Sequence, residues 1–275
     1  MKIIRVFPRK IKRFTPVDDM VRFGPPGLFD ECDEVHISVL FTWDIEYAEE
    51  LAEQWKHVAP VKIGGPAYGK PSGIFNPGIY VKKGAVITSR GCPNKCWFCS
   101  VWKREPKLIE LSITEGTNVL DDNLLACSES HIRAVFSMLK KQKGRKEFTG
   151  GFEAKLLKDW HIDLLIDLSP AQIFFAFDTP DDEEPLRIAS NMLHEAGFNR
   201  QKLRCYCLIG YECDTFKQAE KRLNTCVNLG FFPMAMLWRN NFIDNKEKQR
   251  LLLWREFTRE WSRPAIIYRK LLGKR

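Results

Sequence analysis

The fold and chemistry of this chain are decided by the stretch Ala85-Val86-Ile87-Thr88-Ser89-Arg90-Gly91-Cys92-Pro93-Asn94-Lys95-Cys96-Trp97-Phe98-Cys99. An apolar, strand-like run leads into three cysteines at the spacing C-x3-C-x2-C. Three thiolates on one loop can hold a metal centre. Structural zinc and an electron-carrying iron–sulfur cube each take four ligands, so a cube on three cysteines leaves one iron open.

The chain beyond Ala85 alternates regularly between strand and helix patterns. Apolar strand candidates fall at 85–89, 117–121, 146–150, 172–178, 203–209 and 232–237. Helical patterns fall near 126–142, 153–168, 183–197, 215–229 and 244–261. This alternation predicts an α/β fold with a parallel sheet. Six such units favour an open, partial barrel, and the cysteine loop follows its first strand, at the end where parallel barrels carry their active sites.

The residues before the barrel pattern predict a small α/β unit. Strand candidates at 3–7, 35–41 and 61–63 surround a helical pattern at 44–56. A strand, a helix and a second strand imply a parallel pair with a right-handed crossover. We therefore expect a small Rossmann-like unit with a linker at 1–84, a barrel at 85–240, and a C-terminal helix and basic tail at 241–275. The dipeptide Arg263-Pro264 is expected to break that last helix.

Composition indicates a chain with a sizeable core in a reducing compartment. At 275 residues, folding buries roughly three quarters of the surface of the unfolded chain. Neither a signal peptide nor a membrane-length apolar run is apparent, and the nine cysteines are odd in number with three clustered. We therefore expect a cytoplasmic protein with reduced thiols.

The net charge of +8 is concentrated near the two ends of the chain. The basic residues there are Lys2, Arg5, Arg9, Lys10, Lys12, Arg13, Arg263, Arg269, Lys270, Lys274 and Arg275. Such charge can attract a nucleotide or nucleic-acid partner. The alternative is a solvated surface without a binding role.

The cysteine spacing, the preceding strand and the aromatic Phe98 before the third cysteine resemble the signature of the radical S-adenosylmethionine (SAM) enzymes. The resemblance covers about 85–240 and implies a partial (β/α)6 barrel. It also implies that Cys92, Cys96 and Cys99 ligate a [4Fe-4S] cluster whose open iron binds SAM. Reductive cleavage of SAM then starts radical chemistry on a substrate. A reductant such as flavodoxin or ferredoxin is the implied partner.

The resemblance also implies roles for residues that follow the predicted strands. Cofactor-binding roles fall on Phe98, Asp121, Asp122, Glu153, Asp178 and Ile209. Cys213, as a hydrogen-atom donor, and Arg239, as a substrate contact, are the catalytic candidates.

Each of these polar residues also has a structural interpretation. Asp121 and Asp122 can cap a helix beginning near Leu124, and Glu153 can complement the dipole of a helix as a first-turn residue. Asp178 can start the turn at 179–181, and Arg239 can be a plain surface residue.

The N-terminal unit faintly resembles the cobalamin-binding domains that precede some radical SAM barrels, because its last strand ends in Gly64-Gly65-Pro66. A D-x-H-x-x-G loop is missing, and His36 has the wrong spacing. A cobalamin-dependent methyltransferase is therefore one alternative. A non-catalytic protein that uses zinc or an Fe–S centre to bind nucleic acid is another.

Cys205 and Cys207 share one face of a predicted strand, where they can line the barrel and bind a second cluster or serve as core residues.

Overall fold

The protein is described by a computed structural model for residues 1–70, 73–239 and 245–272. It is an α/β protein with parallel sheets, and it divides into two compact units, Met1–Gly116 and Thr117–Arg275. The domain boundaries predicted at 84/85 and 240/241 come from sequence motifs, whereas the two units are defined by their internal contacts. These two boundaries stay predictions.

The first unit contains a four-stranded parallel sheet in the order β2-β1-β3-β4. Its elements are β1 (Ile3–Val6), β2 (Val21–Arg22), β3 (Glu34–Ser38), α1 (Ile45–Trp55) and β4 (Val61–Gly64). One face of α1 carries Ala48, Leu51 and Trp55 into a core with the strands. The predicted parallel pair is confirmed, since β3 and β4 are joined by α1 and run parallel.

The remaining elements of the first unit flank the cysteine loop. They are β5 (Ala85–Val86), β6 (Ser89–Arg90), α2 (Val101–Arg104) and β7 (Ile109–Glu110). The prediction of one strand over 85–89 was wrong, because Ser89 and Arg90 pair antiparallel with β7 instead of prolonging β5. The elements α2 and β7 are too short to leave a periodic signal in the sequence.

The second unit contains five parallel strands in which sequence neighbours are also sheet neighbours. The strands are β8 (Asn118–Val119), β9 (Glu147–Phe152), β10 (Gln172–Ala176), β11 (Leu203–Ile209) and β12 (Phe232–Leu237). The helices between them are α3 (Glu129–Lys141), α4 (Asp159–Leu168), α5 (Glu183–Glu195) and α6 (Phe216–Asn228). The predicted alternation is therefore confirmed across this unit, while closure into a partial barrel stays a prediction.

Strand β11 separates a buried face from a partly exposed face. Its buried residues alternate along the strand as Leu203, Cys205, Cys207 and Ile209. Cys207 packs in one core cluster with Ala219 and Leu223 of α6. The idea that Cys205 and Cys207 reach into a barrel is corrected by this packing, since Cys207 faces the helix layer and Cys205 shares its side of the strand.

The buried cysteines of β11 act as core residues together with Cys226 of α6. The three thiols lie close enough together for each to affect the pKa of another. Burial raises the pKa of the Cys205 and Cys226 thiols, because an apolar environment disfavours the thiolate. With 0% of their surface exposed, these three side chains are packed as small apolar core residues.

Two helices end the chain, α7 (Asn245–Ser262) and α8 (Pro264–Leu272). The predicted break at Arg263-Pro264 is confirmed. Trp254 and Trp261 of α7 are buried with Ile267 of α8 in the core cluster that includes β11 and α6. The C-terminal helices are therefore integral to the core of the second unit. None of the described helices has the length and apolar character needed to cross a membrane.

His161 on α4 makes the stability of the second unit sensitive to acid. Its side chain is 1% exposed and its Nδ1 accepts a hydrogen bond from the Lys158 N–H at 3.0 Å. Burial lowers the pKa of His161 to about 4, below its usual 6.5. The unfolded chain therefore binds this proton first, and stability present above pH 6.5 is lost as the pH falls toward 4.

The substitution His161→Gln is expected to make the free energy of unfolding less sensitive to acid. The loss of stability between pH 7 and pH 5 should be about 1 to 2 kcal/mol smaller in the variant than in the parent protein. Urea denaturation at both pH values measures that difference. His57→Gln, at an exposed histidine, is the matched control and should leave it unchanged. An equal acid response in His161→Gln and the parent protein would contradict the assignment.

Candidate functional site

The cysteine loop connects β6 to α2 and is held by its own backbone. The Cys99 N–H donates to the Cys96 carbonyl at 3.1 Å, and Trp102 Nε1 donates to the same oxygen at 3.0 Å. The Val101 N–H points at Cys99 Sγ, 3.4 Å away. Hydrogen bonds from N–H donors favour a thiolate, so this contact suits a sulfur that acts as a metal ligand.

The loop begins with a sharp turn that only glycine accommodates. Gly91 has a φ of +85°, in the left-handed region. A Cβ at this position would lie 2.1 Å from the carbonyl oxygen of Lys107. Because the obstacle is backbone, the segment before Cys92 is fixed tightly against residues 105–107.

Aromatic side chains accompany the thiols. Phe98, a predicted cofactor contact, is partly exposed and packs edge-to-face on Trp97 with ring centroids 5.4 Å apart. Trp97 is 55% exposed, so the loop presents a large aromatic surface to solvent.

Cys92, Cys96 and Cys99 are all partly exposed thiols on this loop, and every cysteine of the chain is reduced within the described ranges. Among the described residues, no three or more His, Cys, Asp or Glu side chains are gathered to hold a single metal ion. A four-iron cluster binds each thiolate to a different iron, so its ligands do not converge on one ion. Three soft donors on one loop fit such a cluster in number and chemistry.

The second unit carries a separate polar group where its parallel strands end. Asp121 follows β8 and is 1% exposed, whereas its neighbour Asp122 is partly buried. Gly150 of β9 passes so close that a Cβ there would lie 2.1 Å from the Asp121 carbonyl oxygen. A helical segment does begin at Leu124, as a 3-10 turn at Leu124–Ala126, but its N-cap residue is Asn123 and not either aspartate. Helix α3 follows at Glu129 and is capped by Ser128.

Glu153 joins this polar group through Asn123. Asn123 Nδ2 donates to Glu153 Oε2 at 2.7 Å. The sequence interpretation of Glu153 as a first-turn helix residue was wrong, because a short 3-10 turn at Ala154–Leu156 comes first and α4 begins at Asp159. Its carboxylate is therefore held by Asn123, in the segment after β8, and not by the start of α4.

Asp178 lies at the end of β10 and reaches across to β11. Its Oδ1 accepts a hydrogen bond from the Leu208 N–H at 2.8 Å. Asp182, not Asp178, closes the following turn by accepting from both Asp178 N–H and Thr179 N–H. Burial raises the pKa of Asp178 to about 6, so this carboxyl exchanges a proton near neutral pH.

Sequence reasoning missed a hydrogen-bonded group that crosses the strands. Tyr206 donates from its hydroxyl to the Thr149 carbonyl at 3.0 Å, and Thr149 Oγ1 donates to Asn118 Oδ1 at 2.7 Å. The Tyr206 ring also stacks on Phe174 at 4.9 Å. The period of two along β11 was the available signal, because Tyr206 lies between two buried cysteines and must face the other way.

The other predicted residues are scattered. The Ile209 side chain is fully buried in the core cluster with α6 and α7, so it is not available to contact a cofactor. A cofactor contact at this place would be made by the backbone of 208–210. Cys213 is exposed in the loop after β11. Arg239, after β12, is partly exposed. The roles proposed for these three residues stay predictions.

A buried ion pair, also missed from the sequence, holds the loop after β11. Arg222 Nη2 lies 2.6 Å from Asp214 Oδ2 and 3.1 Å from the Leu208 carbonyl. The Asp214 side chain is 0% exposed and also accepts from the Gly210 N–H. This ion pair holds the segment 208–214 in place. The same segment contains Leu208, whose N–H donates to Asp178.

No family model and no curated protein matches this chain. The cysteine loop of the first unit and the polar strand ends of the second are therefore interpreted from their own chemistry and from the motif resemblance.

Proposed function

We propose that this protein is a radical SAM enzyme. In this proposal, Cys92, Cys96 and Cys99 hold a [4Fe-4S] cluster, and the region 85–240 is the partial (β/α)6 barrel of that family. When bound and reduced, the cluster supplies the electron that cleaves the sulfonium of SAM and starts radical chemistry on a substrate. The observation that carries the proposal is the set of three partly exposed thiols on one internally hydrogen-bonded loop.

Residues of the loop prepare the thiols for iron. The Val101 N–H near Cys99 Sγ favours the thiolate form. Gly91 lets the chain turn directly before Cys92 and thereby sets the position of the first thiol. Phe98 and Trp97 place aromatic surface beside the sulfurs, and Phe98 is the proposed cofactor contact.

The polar strand ends of the second unit are the proposed SAM ligands. Asp121 and Asp122 supply carboxylates for the SAM ammonium group, and Glu153 supplies an acceptor for the ribose or the amine. Asp178 is the proposed ribose contact, and the backbone of 208–210 is the proposed adenine contact. Brought to strand ends by the parallel sheet, these groups lie where α/β proteins bind their ligands.

Glu153→Gln is expected to weaken SAM binding about tenfold, because it removes a charged acceptor while keeping the size and one hydrogen bond to Asn123. Equilibrium dialysis with labelled SAM and the KM for SAM both measure the loss. Glu147→Gln, at the opposite end of the same strand, is the matched control. Equal affinity in Glu153→Gln and the parent would remove Glu153 from the site.

The test of the proposed function is anaerobic reconstitution followed by a cleavage assay. Purified protein should take up iron and sulfide in equal amounts, about four of each. With dithionite and SAM it should release 5′-deoxyadenosine and methionine. Stoichiometric zinc without sulfide, or no 5′-deoxyadenosine from fully loaded protein, would contradict the proposal and favour the zinc-binding alternative.

The proposal does not extend to cobalamin. His36 lies within β3 and its two ring nitrogens bond to Tyr80 Oη and, at 3.0 Å, to Glu34 Oε2. A histidine held in this way is not on a loop that presents a ligand to cobalt.

The [4Fe-4S] chemistry also requires a reducing environment such as the cytoplasm, with flavodoxin or ferredoxin as the proposed electron donor.

A further inference from the structure

The helix α7 carries a row of cations on one side. Lys248, Arg255, Arg259 and Arg263 follow one another at intervals of seven, four and four residues. Lys248, Arg255 and Arg259 therefore lie within one narrow sector of α7, over about 16 Å of helix length, and Arg263 comes directly after the last residue of the helix. We call these four residues the α7 cation row. All four are exposed.

The α7 cation row is not neutralised inside the protein. No ion pair links any of its four members to a residue of the described ranges. Arginines on other surface helices of the second unit are paired, as Arg133 is with Glu129 and Arg187 is with Glu184. The two acidic residues in the middle of α7, Glu256 and Glu260, lie outside the sector of the row.

The surrounding charge reinforces the row. The segment 245–272 contains eight basic and only three acidic residues. The N-terminal basic cluster differs, because Arg5 is paired with Asp18 and Arg9 with Asp44. The C-terminal helices carry their unpaired cations in a row, and this is where we place the expected attraction for a polyanion.

We propose that the α7 cation row binds the phosphate backbone of a nucleic acid. Three of its four members are arginines, whose forked guanidinium groups match phosphate oxygens. A straight row of like charges suits a polymer with regularly repeated phosphates. This surface would bring a nucleic-acid partner to the protein, and it does not depend on the cluster chemistry.

A membrane surface fits α7 less well. Helices that lie on membranes insert an apolar face beside their cations. The apolar face of α7, with Leu251, Trp254 and Trp261, is already buried in the core. Only Leu252 and Leu253 remain exposed among its large apolar side chains.

The experiment measures binding of the full-length protein to labelled single-stranded RNA, single-stranded DNA and duplex DNA at several salt concentrations. Wild-type protein should bind at least one of them with log K falling against log salt at a slope of about −3 to −4, as four neutralised phosphates require. The double variant Arg255→Glu/Arg259→Glu should bind at least about tenfold more weakly and reduce that slope by about two.

Lys217→Glu/Lys221→Glu on α6 is the matched control, since it reverses two exposed cations at the same spacing in the same unit. It should keep affinity within about threefold of wild type. Equal losses in both double variants, no binding at low salt, or binding only to vesicles of phosphatidylserine would overturn the proposal. Circular dichroism confirms that each variant is folded.

The cluster and the α7 cation row are separable in this experiment. Protein with Cys92, Cys96 and Cys99 replaced by alanine should still bind nucleic acid with unchanged affinity and salt dependence. Arg255→Glu/Arg259→Glu should still cleave SAM in the absence of nucleic acid. Loss of nucleic-acid binding in the cysteine variant would contradict an independent docking surface.

Discussion

Replacing any one of Cys92, Cys96 and Cys99 by alanine is expected to abolish SAM cleavage and most of the bound iron and sulfide. In the proposed site each thiolate would hold a different iron, and the loop offers no other cysteine as a substitute. We therefore expect release of 5′-deoxyadenosine to fall at least about a hundredfold, which is about 2.7 kcal/mol or more. Anaerobic iron and sulfide analysis, with the cleavage assay, measures both losses.

Cys32→Ala is the control for this prediction. Cys32 is partly buried against the core of the first unit and lies far along the chain from the loop. That variant should bind iron and sulfide and cleave SAM at the level of the parent protein. A loop variant that keeps a full cluster, or a Cys32→Ala variant that loses it, would show that other cysteines hold the iron.

Arg222→Met is expected to destabilise the protein by about 3 to 5 kcal/mol. The substitution keeps the packing length of the side chain but leaves the Asp214 carboxylate buried and without its cation. It also removes a donor from the Leu208 carbonyl. The free energy of unfolding in urea, followed by circular dichroism, is the measurement.

The double variant Arg222→Met/Asp214→Asn separates the cost of the stranded charge from the cost of lost packing. A neutral amide at 214 can still accept from the Gly210 N–H, so the double variant should recover about 1 to 2 kcal/mol relative to Arg222→Met alone. A double variant less stable than the single variant would show that the two residues do not act as a pair.

Much of the fold could be predicted from local patterns. The alternation over 117–237 and the break at Arg263-Pro264 appear in the structure as expected. Elements of two to four residues, such as β6, β7 and α2, could not be predicted, because they are too short to show a periodic pattern. The pairing of β6 with β7 is what defines those two strands. The start of α4 was misplaced for a similar reason, since a 3-10 turn separates Glu153 from the helix.

The candidate site was only partly accessible from sequence. The three cysteines stand out by spacing, but the partners of Glu153 and Asp178 lie 30 residues away along the chain. Tyr206, Thr149 and Asn118 come together only when the four strands β8 to β11 pair in register. Such contacts depend on strand order, which a single stretch of sequence does not encode.

The sequence by itself determined the cysteine spacing, the βα rhythm and the excess of basic residues, because each is a local property of the chain. Tertiary structure decided which charges are neutralised and which side chains face solvent. It buried Cys205 and Cys207 against α6, paired Arg5 and Arg9 with carboxylates, and left the α7 cation row exposed. The physical reason is that burial and ion pairing depend on residues brought close by folding, and not on neighbours along the chain.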